Sequence, residues 1–75
     1  MSTTHYTSLP EVGQKLLYWG SGREDGLSTV LKVFPYKGPF GLDICTHIIR
    51  VTAENNKRGW TEFSWGPTSV WSDKR

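Results

Sequence analysis

The chain has few of the groups from which catalytic and metal centres are built. Its 75 residues include one cysteine, Cys45, and two histidines, His5 and His47. A single thiol excludes a disulfide within the chain, and these three residues match no zinc-ligand spacing. We therefore expect no metal site and no cofactor.

Long apolar runs are also missing. The longest ones contain only a few residues, whereas a membrane-spanning helix needs about 20. The first residues show neither the basic nor the apolar region of a signal peptide. We expect no membrane partner and, because a lone thiol suits a reducing compartment, a cytoplasmic location in the producing or host cell.

Charges of the two signs are nearly balanced, whereas aromatic residues are abundant. Nine Lys and Arg against seven Asp and Glu give a net charge of +2, which permits contact with nucleic acid but does not argue for it. The chain carries four Trp, three Tyr and three Phe, and each large ring can bury roughly 150–250 Å². We expect these rings to supply most of the core and to exceed what one small interior can hold.

Three segments have the composition of β-strands. Residues 27–34 and 43–53 are rich in β-branched residues, and residues 60–65 alternate with a period of two. Residues 54–59 contain two Asn and a closing Gly, which predicts a hairpin turn. Alternation assigns the residues of each strand to two faces. In the first strand, Leu27, Thr29, Leu31 and Val33 lie on one face and Val30, Lys32 and Phe34 on the other; in the second, Cys45, His47, Ile49 and Val51 lie opposite Ile44, Thr46, Ile48 and Arg50. In the third, Thr61, Phe63 and Trp65 lie opposite Trp60, Glu62 and Ser64.

Residues 8–19 fit two structures. Ser8 as an N-cap, Pro10 in the first turn and Glu11 at the capping-box position indicate a short helical turn. Gly13 would then lie in the helix interior at a cost of about 1 kcal/mol. The alternative, which we favour, is a strand over residues 14–19. Residues 68–71 could add a last short strand.

Four or five short strands joined by Gly- and Pro-containing turns predict an all-β fold with a small antiparallel sheet. Closing the sheet would remove its exposed edges. Over residues 12–71 the spacing resembles that of small SH3-like barrels, which implies a barrel but no particular function. We expect a flexible N-terminal arm at residues 1–8, one domain at residues 9–72 and a charged tail at residues 73–75.

Cys45 and His47 are the only candidate pair for nucleophilic catalysis. They lie two apart on a predicted strand and so share a face. No third group or oxyanion hole accompanies them, and cysteine is among the most buried residue types. We interpret Cys45 as a core thiol, and we predict that the chain is not an enzyme.

Two binding hypotheses remain. Exposed aromatic rings are common anchors of protein interfaces, and we expect Trp60, Tyr36, Phe40 and Trp19 to bind another protein or a second copy of the chain. A short chain without catalytic groups resembles the accessory or inhibitor proteins of phages and mobile elements. The alternative is a nucleic-acid-binding barrel, in which cations beside a large ring grip a phosphate and stack a base. Its candidate residues are Lys57, Arg58, Lys37 and Trp60, with Tyr36.

Overall fold

Four strands form one antiparallel sheet with the order β1-β2-β3-β4. The computed structural model describes residues 5–36 and 45–73, and this part of the chain contains no α-helix. The strands are β1 (Lys15–Leu17), β2 (Leu27–Pro35), β3 (His47–Thr52) and β4 (Trp60–Trp65). The predicted all-β class and small antiparallel sheet are therefore confirmed.

Residues 8–19 form a turn and a strand rather than a helix. Gly13 has a φ of 91°, a left-handed conformation that glycine adopts without strain. Its N–H donates to the carbonyl oxygen of Val30, and the N–H of Val30 donates to that of Gln14. Pairing with β2 thus begins directly after the turn, and the helical alternative is wrong.

The face assignment of β2 is wrong because the strand contains a β-bulge. Val30 pairs with Val51 and Lys32 pairs with Arg50, so Leu31 is an extra residue without a partner on β3. A bulge reverses the alternation of side chains that follow it. Val30 and Val33 therefore share the face of Val51 and Ile49, whereas the prediction placed them on opposite faces of β2.

The β3–β4 hairpin is confirmed with its predicted faces. Ile49 pairs with Phe63 and Val51 with Thr61, and both β3 residues are fully buried. The turn ends at Gly59, which has a φ of 80°. Strand β3 is shorter than the predicted range of 43–53, of which residues 43 and 44 lie outside the described part.

The core is mainly aliphatic. Its buried cluster consists of Leu16, Val30, Ile49, Val51 and Trp65. Among the described residues, Trp65 is the one aromatic ring in this buried cluster, and Tyr18, Phe63 and Trp71 pack against it. The other aromatic rings of the described residues lie at the periphery, some packed against the cluster and some exposed.

Within the described residues, side chains pack on one face of the sheet. The molecule measures 35 × 35 × 18 Å, and since packed layers are about 10 Å apart, its short dimension holds the sheet and one further layer. Leu9, Tyr18 and Trp71 pack against the core from that layer. Residues 68–71 do not form a strand; Trp71 makes an isolated bridge to Tyr6, and the two rings stack at 4.4 Å.

The four strands are not closed into a barrel. The antiparallel sheet is confirmed, and the SH3-like barrel stays a prediction. Within residues 5–36 and 45–73 no helix is long and apolar enough to cross a membrane.

Candidate functional site

Trp19 is the most exposed large apolar side chain among the described residues. Its relative exposure is 94%, against 44% for Tyr36 and 43% for Leu31. It lies in the loop of residues 18–26, which joins β1 to β2. A tryptophan that gives up almost none of its surface on folding contributes little to stability, and its apolar area stays available for a partner.

The loop that carries Trp19 is held in place by backbone hydrogen bonds. The N–H of Tyr18 donates to the carbonyl oxygen of Gly26, and the N–H of Ser21 donates to that of Tyr18. Ser21 is buried, and its own carbonyl oxygen accepts from the N–H of Glu54 in the β3–β4 turn. These bonds fix the loop against the hairpin, so Trp19 is presented from an ordered backbone.

Gly22 marks the closest approach of this loop to the hairpin turn. Its φ is 79°, and a Cβ atom added there would lie 2.7 Å from the backbone nitrogen of Asn55. Both the conformation and the space therefore require glycine at this position.

Ion pairs reinforce the loop. The guanidinium of Arg23 contacts Asp25 and Glu54, each at 3.1 Å. The hydrogen bond from Arg23, followed by the one from the Leu27 N–H, lowers the pKa of Asp25 to about 2. The same two carboxylates raise the pKa of Arg23. These groups are well exposed, so the pairs contribute little to stability in salt and mainly restrict the loop.

Trp19, Tyr18 and Phe63 form a continuous series of rings, which we call the aromatic step. The centroids of Trp19 and Tyr18 are 5.6 Å apart, and Tyr18 stacks on Phe63 at 5.2 Å. Phe63 belongs to β4 and faces the covered side of the sheet. The step therefore connects the exposed loop to strand β4.

The opposite, solvent-exposed side of β2, β3 and β4 carries a basic cluster, and we call this side the outer face. Lys32, Arg50 and Glu62 form one cross-strand row, and Arg50 pairs with Glu62 at 3.0 Å. The guanidinium carbons of Arg50 and Arg58 lie 3.9 and 4.2 Å from the ring centroid of Trp60. Such distances are typical of cation–π contacts.

A second row of the outer face is apolar. Phe34 pairs with Ile48, and Ile48 pairs with Ser64. Beside this row is an open depression of about 340 Å³. Its lining residues are Phe34, Tyr36, Ile48, Glu62, Phe63 and Ser64.

The structure separates the sequence-predicted binding residues into two regions. Tyr36 and Trp60 lie on the outer face, whereas Trp19 belongs to the aromatic step. Lys57 and Arg58 are exposed in the β3–β4 turn, and Arg58 contacts Trp60. Phe40 and Lys37, which complete the two predicted sets, lie outside the described residues.

Cys45 and His47 do not contact each other through their functional groups. The Cys45 thiol donates to the backbone carbonyl oxygen of His47 at 3.4 Å. The Nδ1 atom of His47 is bonded to the hydroxyl of Thr46 at 2.9 Å. Cys45 is buried, as expected for a core thiol. In the described residues, no group of three or more His, Cys, Asp or Glu side chains could hold a metal ion.

Sequence reasoning missed the partners of the predicted rings. Alternation assigns Arg50 to the same face of β3 as Ile48, but it predicts neither the contact with Trp60 nor the ion pair with Glu62. Both contacts follow from the hairpin register, which puts Arg50 opposite Glu62 and Thr52 opposite Trp60. A register derived from the turn at residues 54–59 would have predicted them. The stack of Tyr18 on Phe63 joins residues far apart in the chain, and no local pattern signals it.

Comparison of the chain with protein-family models, with curated proteins and with solved structures gave no match. The geometry of the aromatic step and the outer face is therefore the basis for assigning a function.

Proposed function

We propose that this chain is a small, non-catalytic module that binds another protein through exposed aromatic side chains. The observation that supports the proposal is the exposure of Trp19, which is 94%. Its loop is bonded to the hairpin turn through the carbonyl oxygen of Ser21 and the guanidinium of Arg23. A partner that buries this ring removes a large apolar area from water, which favours binding. It also has little loop entropy to overcome, because the loop is already ordered.

Inhibitor or accessory proteins of phages and mobile elements work by such binding, and we extend the proposal to that class and to a cytoplasmic setting. We also retain the SH3-like barrel as the finer architecture. The single buried thiol suits a reducing compartment.

Capture of a partner from lysate by immobilised protein tests the proposal. Replacing Trp19 with Ala should weaken capture about 30-fold, the effect of losing an interface anchor worth about 2 kcal/mol. The stability of the variant should stay within about 0.5 kcal/mol of the wild type, because the side chain is exposed. Val12→Ala, at an apolar position that is 65% exposed outside the aromatic step, is the matched control. Equal capture by the two variants would contradict the proposal.

A second candidate function is the binding of single-stranded nucleic acid on the outer face. It is supported by the two guanidinium groups at Trp60 and by exposed Lys57 next to Arg58. It ranks second because a base that stacks on Trp60 must compete with Arg50 and Arg58 for the same ring. Its test is the affinity for a single-stranded oligonucleotide over a salt series. A steep fall with salt that is reduced in Arg58→Ala would favour this function over protein binding.

A further inference from the structure

Strand β4 is the last strand in the order of the sheet, so one side of its backbone is not paired with another of the four strands. The N–H of Ala53 donates to the carbonyl oxygen of Gly59, and this bond sets the phase of the β3–β4 ladder. Backbone groups alternate in direction along an antiparallel strand, so those of Thr61, Phe63 and Trp65 point to β3. The N–H and C=O groups of Trp60, Glu62 and Ser64 point away from the sheet, and within the described residues they have no hydrogen-bond partner.

Few of the usual protections of an edge strand are present on β4. Natural edges are blocked by proline, bulges or unpaired charge. Strand β4 has six residues and no proline, and it pairs with β3 without a register shift. Its one charged residue, Glu62, is paired with Arg50. The edge is thus a regular template about 20 Å long.

Different surfaces flank this edge on its two sides. On the covered side, Phe63 leads to Tyr18 and Trp19 of the aromatic step. On the outer face, Trp60 lies with the guanidinium groups of Arg50 and Arg58. Because side chains alternate along a strand, an added strand would place every second residue on each surface.

We propose that β4 binds an extended segment of the partner protein by antiparallel strand addition, with apolar residues against the aromatic step and acidic residues beside the Arg50–Trp60–Arg58 cluster. The inference rests on the proposed protein-binding function and specifies its mode. Main-chain hydrogen bonds to the three outward residues supply affinity, and the flanking surfaces supply sequence preference.

Charge favours an acidic peptide over a second copy of the chain. Among the described residues, the outer face presents the cations of Lys32, Arg50 and Arg58 and the carboxylate of Glu62. Antiparallel pairing of two β4 strands would bring two such faces together, each with more cations than carboxylates. Repulsion between like-charged faces opposes this pairing. A segment with carboxylates on that side complements the cluster instead.

A synthetic octapeptide that alternates Glu with Val or Phe, blocked at both ends, is the probe, and the full chain labelled with ¹⁵N is the target. Addition to β4 should slow hydrogen exchange at the amides of Trp60, Glu62 and Ser64 and leave that of Leu17 unchanged. A peptide of the same composition with its Glu and apolar residues in separate blocks is the control, because it has no acidic side. It should bind at least tenfold more weakly.

N-methylation of the probe tests the hydrogen bonds without altering the protein. In an antiparallel pair, the residues that exchange hydrogen bonds lie directly opposite each other and share a face. The outward groups belong to outer-face residues of β4, so the Glu residues of the peptide must supply the matching N–H groups. N-methylation of the Glu residues should abolish binding, whereas N-methylation of the apolar residues should leave it within threefold.

Variants at Ser64 make the same test from the protein side. The N–H of Ser64 points outward, so Ser64→Pro removes a donor from the edge and keeps the ladder with β3. Ser64→Pro should weaken binding of the octapeptide about tenfold. Ser64→Ala keeps the donor and should bind the octapeptide with the affinity of the wild type.

The outcomes separate this inference from the proposed function. Binding without protection of the three amides, equal binding of both N-methylated peptides, or no binding of the octapeptide would overturn strand addition. None of these results would alter the Trp19→Ala capture experiment. Protection of the three amides that rises with protein concentration, in the absence of peptide, would assign the edge to a second copy instead.

Discussion

At the β1 edge of the sheet the N–H of Leu17 donates to the carbonyl oxygen of Ser72 at 2.7 Å, whereas at the β4 edge the N–H groups of Trp60, Glu62 and Ser64 meet no acceptor in the described residues. Both edges belong to one antiparallel sheet and differ in what covers them. The β1 edge is covered by the end of the described chain, where Trp71 stacks on Tyr6. The β4 edge has no hydrogen-bond partner in residues 5–36 and 45–73 and lies between two surfaces suited to a ligand.

Of the two edges of this sheet, the described residues cover β1 and not β4. An exposed edge invites unselective pairing with other chains, and covering the β1 edge removes one such site. The segments on either side of the four strands supply this cover through Tyr6 and Trp71. Binding through β4 would then use the edge that the described residues leave unpaired.

Removing the cover of β1 should have the largest effect on the free energy of unfolding. Trp71→Ala deletes the stack with Tyr6, the contact with the core, and the hydrogen bond from Nε1 to the carbonyl oxygen of Ser8. We expect a loss of about 3 kcal/mol, since Trp→Ala costs roughly 3–5 kcal/mol in cores and Trp71 is half-buried. For a domain of this size that lowers Tm by about 12–24 °C, which thermal unfolding measures.

The neighbouring residue Val70 supplies the control for Trp71. It is 54% exposed, so Val70→Ala should change the free energy of unfolding by less than about 0.5 kcal/mol. Similar losses for the two variants would show that the cover of the β1 edge contributes little to stability.

Proline on the two edges gives a smaller effect and a more direct comparison. Leu17→Pro removes the donor to Ser72, whereas Ser64→Pro removes a donor that has no acceptor in the described chain. We expect Leu17→Pro to lose about 2 kcal/mol more than Ser64→Pro, because one hydrogen bond is broken and a carbonyl oxygen loses its partner.

Urea denaturation measures this difference, with Leu17→Ala and Ser64→Ala to subtract the effect of each side chain. Equal corrected losses at the two edges would mean that both are covered or that both are open, and the contrast between them would be withdrawn.

The sequence predicts the β3–β4 hairpin well and β2 only in part. Period-two alternation at residues 60–65 and the Asn- and Gly-containing turn are local signals, and the faces that they imply are correct. Strand β2 carries apolar residues on both faces, so no alternation fixes which residue forms the bulge at Leu31. The pairing of Tyr6 with Trp71 depends on the path of the whole chain and leaves no local pattern.

For the candidate site, composition predicts that aromatic side chains are involved but not which residues contact them. An excess of aromatic rings over the interior correctly indicates that some remain outside, and Trp19 does. The same count cannot distinguish Trp19 from Trp65, which is buried. Burial depends on the register and on the loop bonds of Ser21, which the sequence pattern does not encode.

The smallest expected effect is the different response of the two edges to acid. The β1 edge is covered through backbone hydrogen bonds between neutral groups, whereas the Trp19 loop beside the β4 edge depends partly on the ion pairs of Arg23. The folded-state pKa of Asp25 is about 2, below its ordinary value of 3.8. Its contribution is therefore fully present above about pH 4 and is lost as the pH falls through about 2.

Asp25→Asn should thus speed hydrogen exchange at the Ser21 amide, which donates to the carbonyl oxygen of Tyr18 within the loop, at pH 5, because the loop loses an ion pair. The variant and the wild type should converge near pH 2. Glu11→Gln, at an exposed carboxylate outside the loop, is the control and should leave this exchange unchanged at both pH values. Hydrogen exchange at the Leu17 amide should be the same in all three proteins once corrected for the intrinsic effect of pH. A loosening of Leu17 together with the loop would show that the two regions open as one unit.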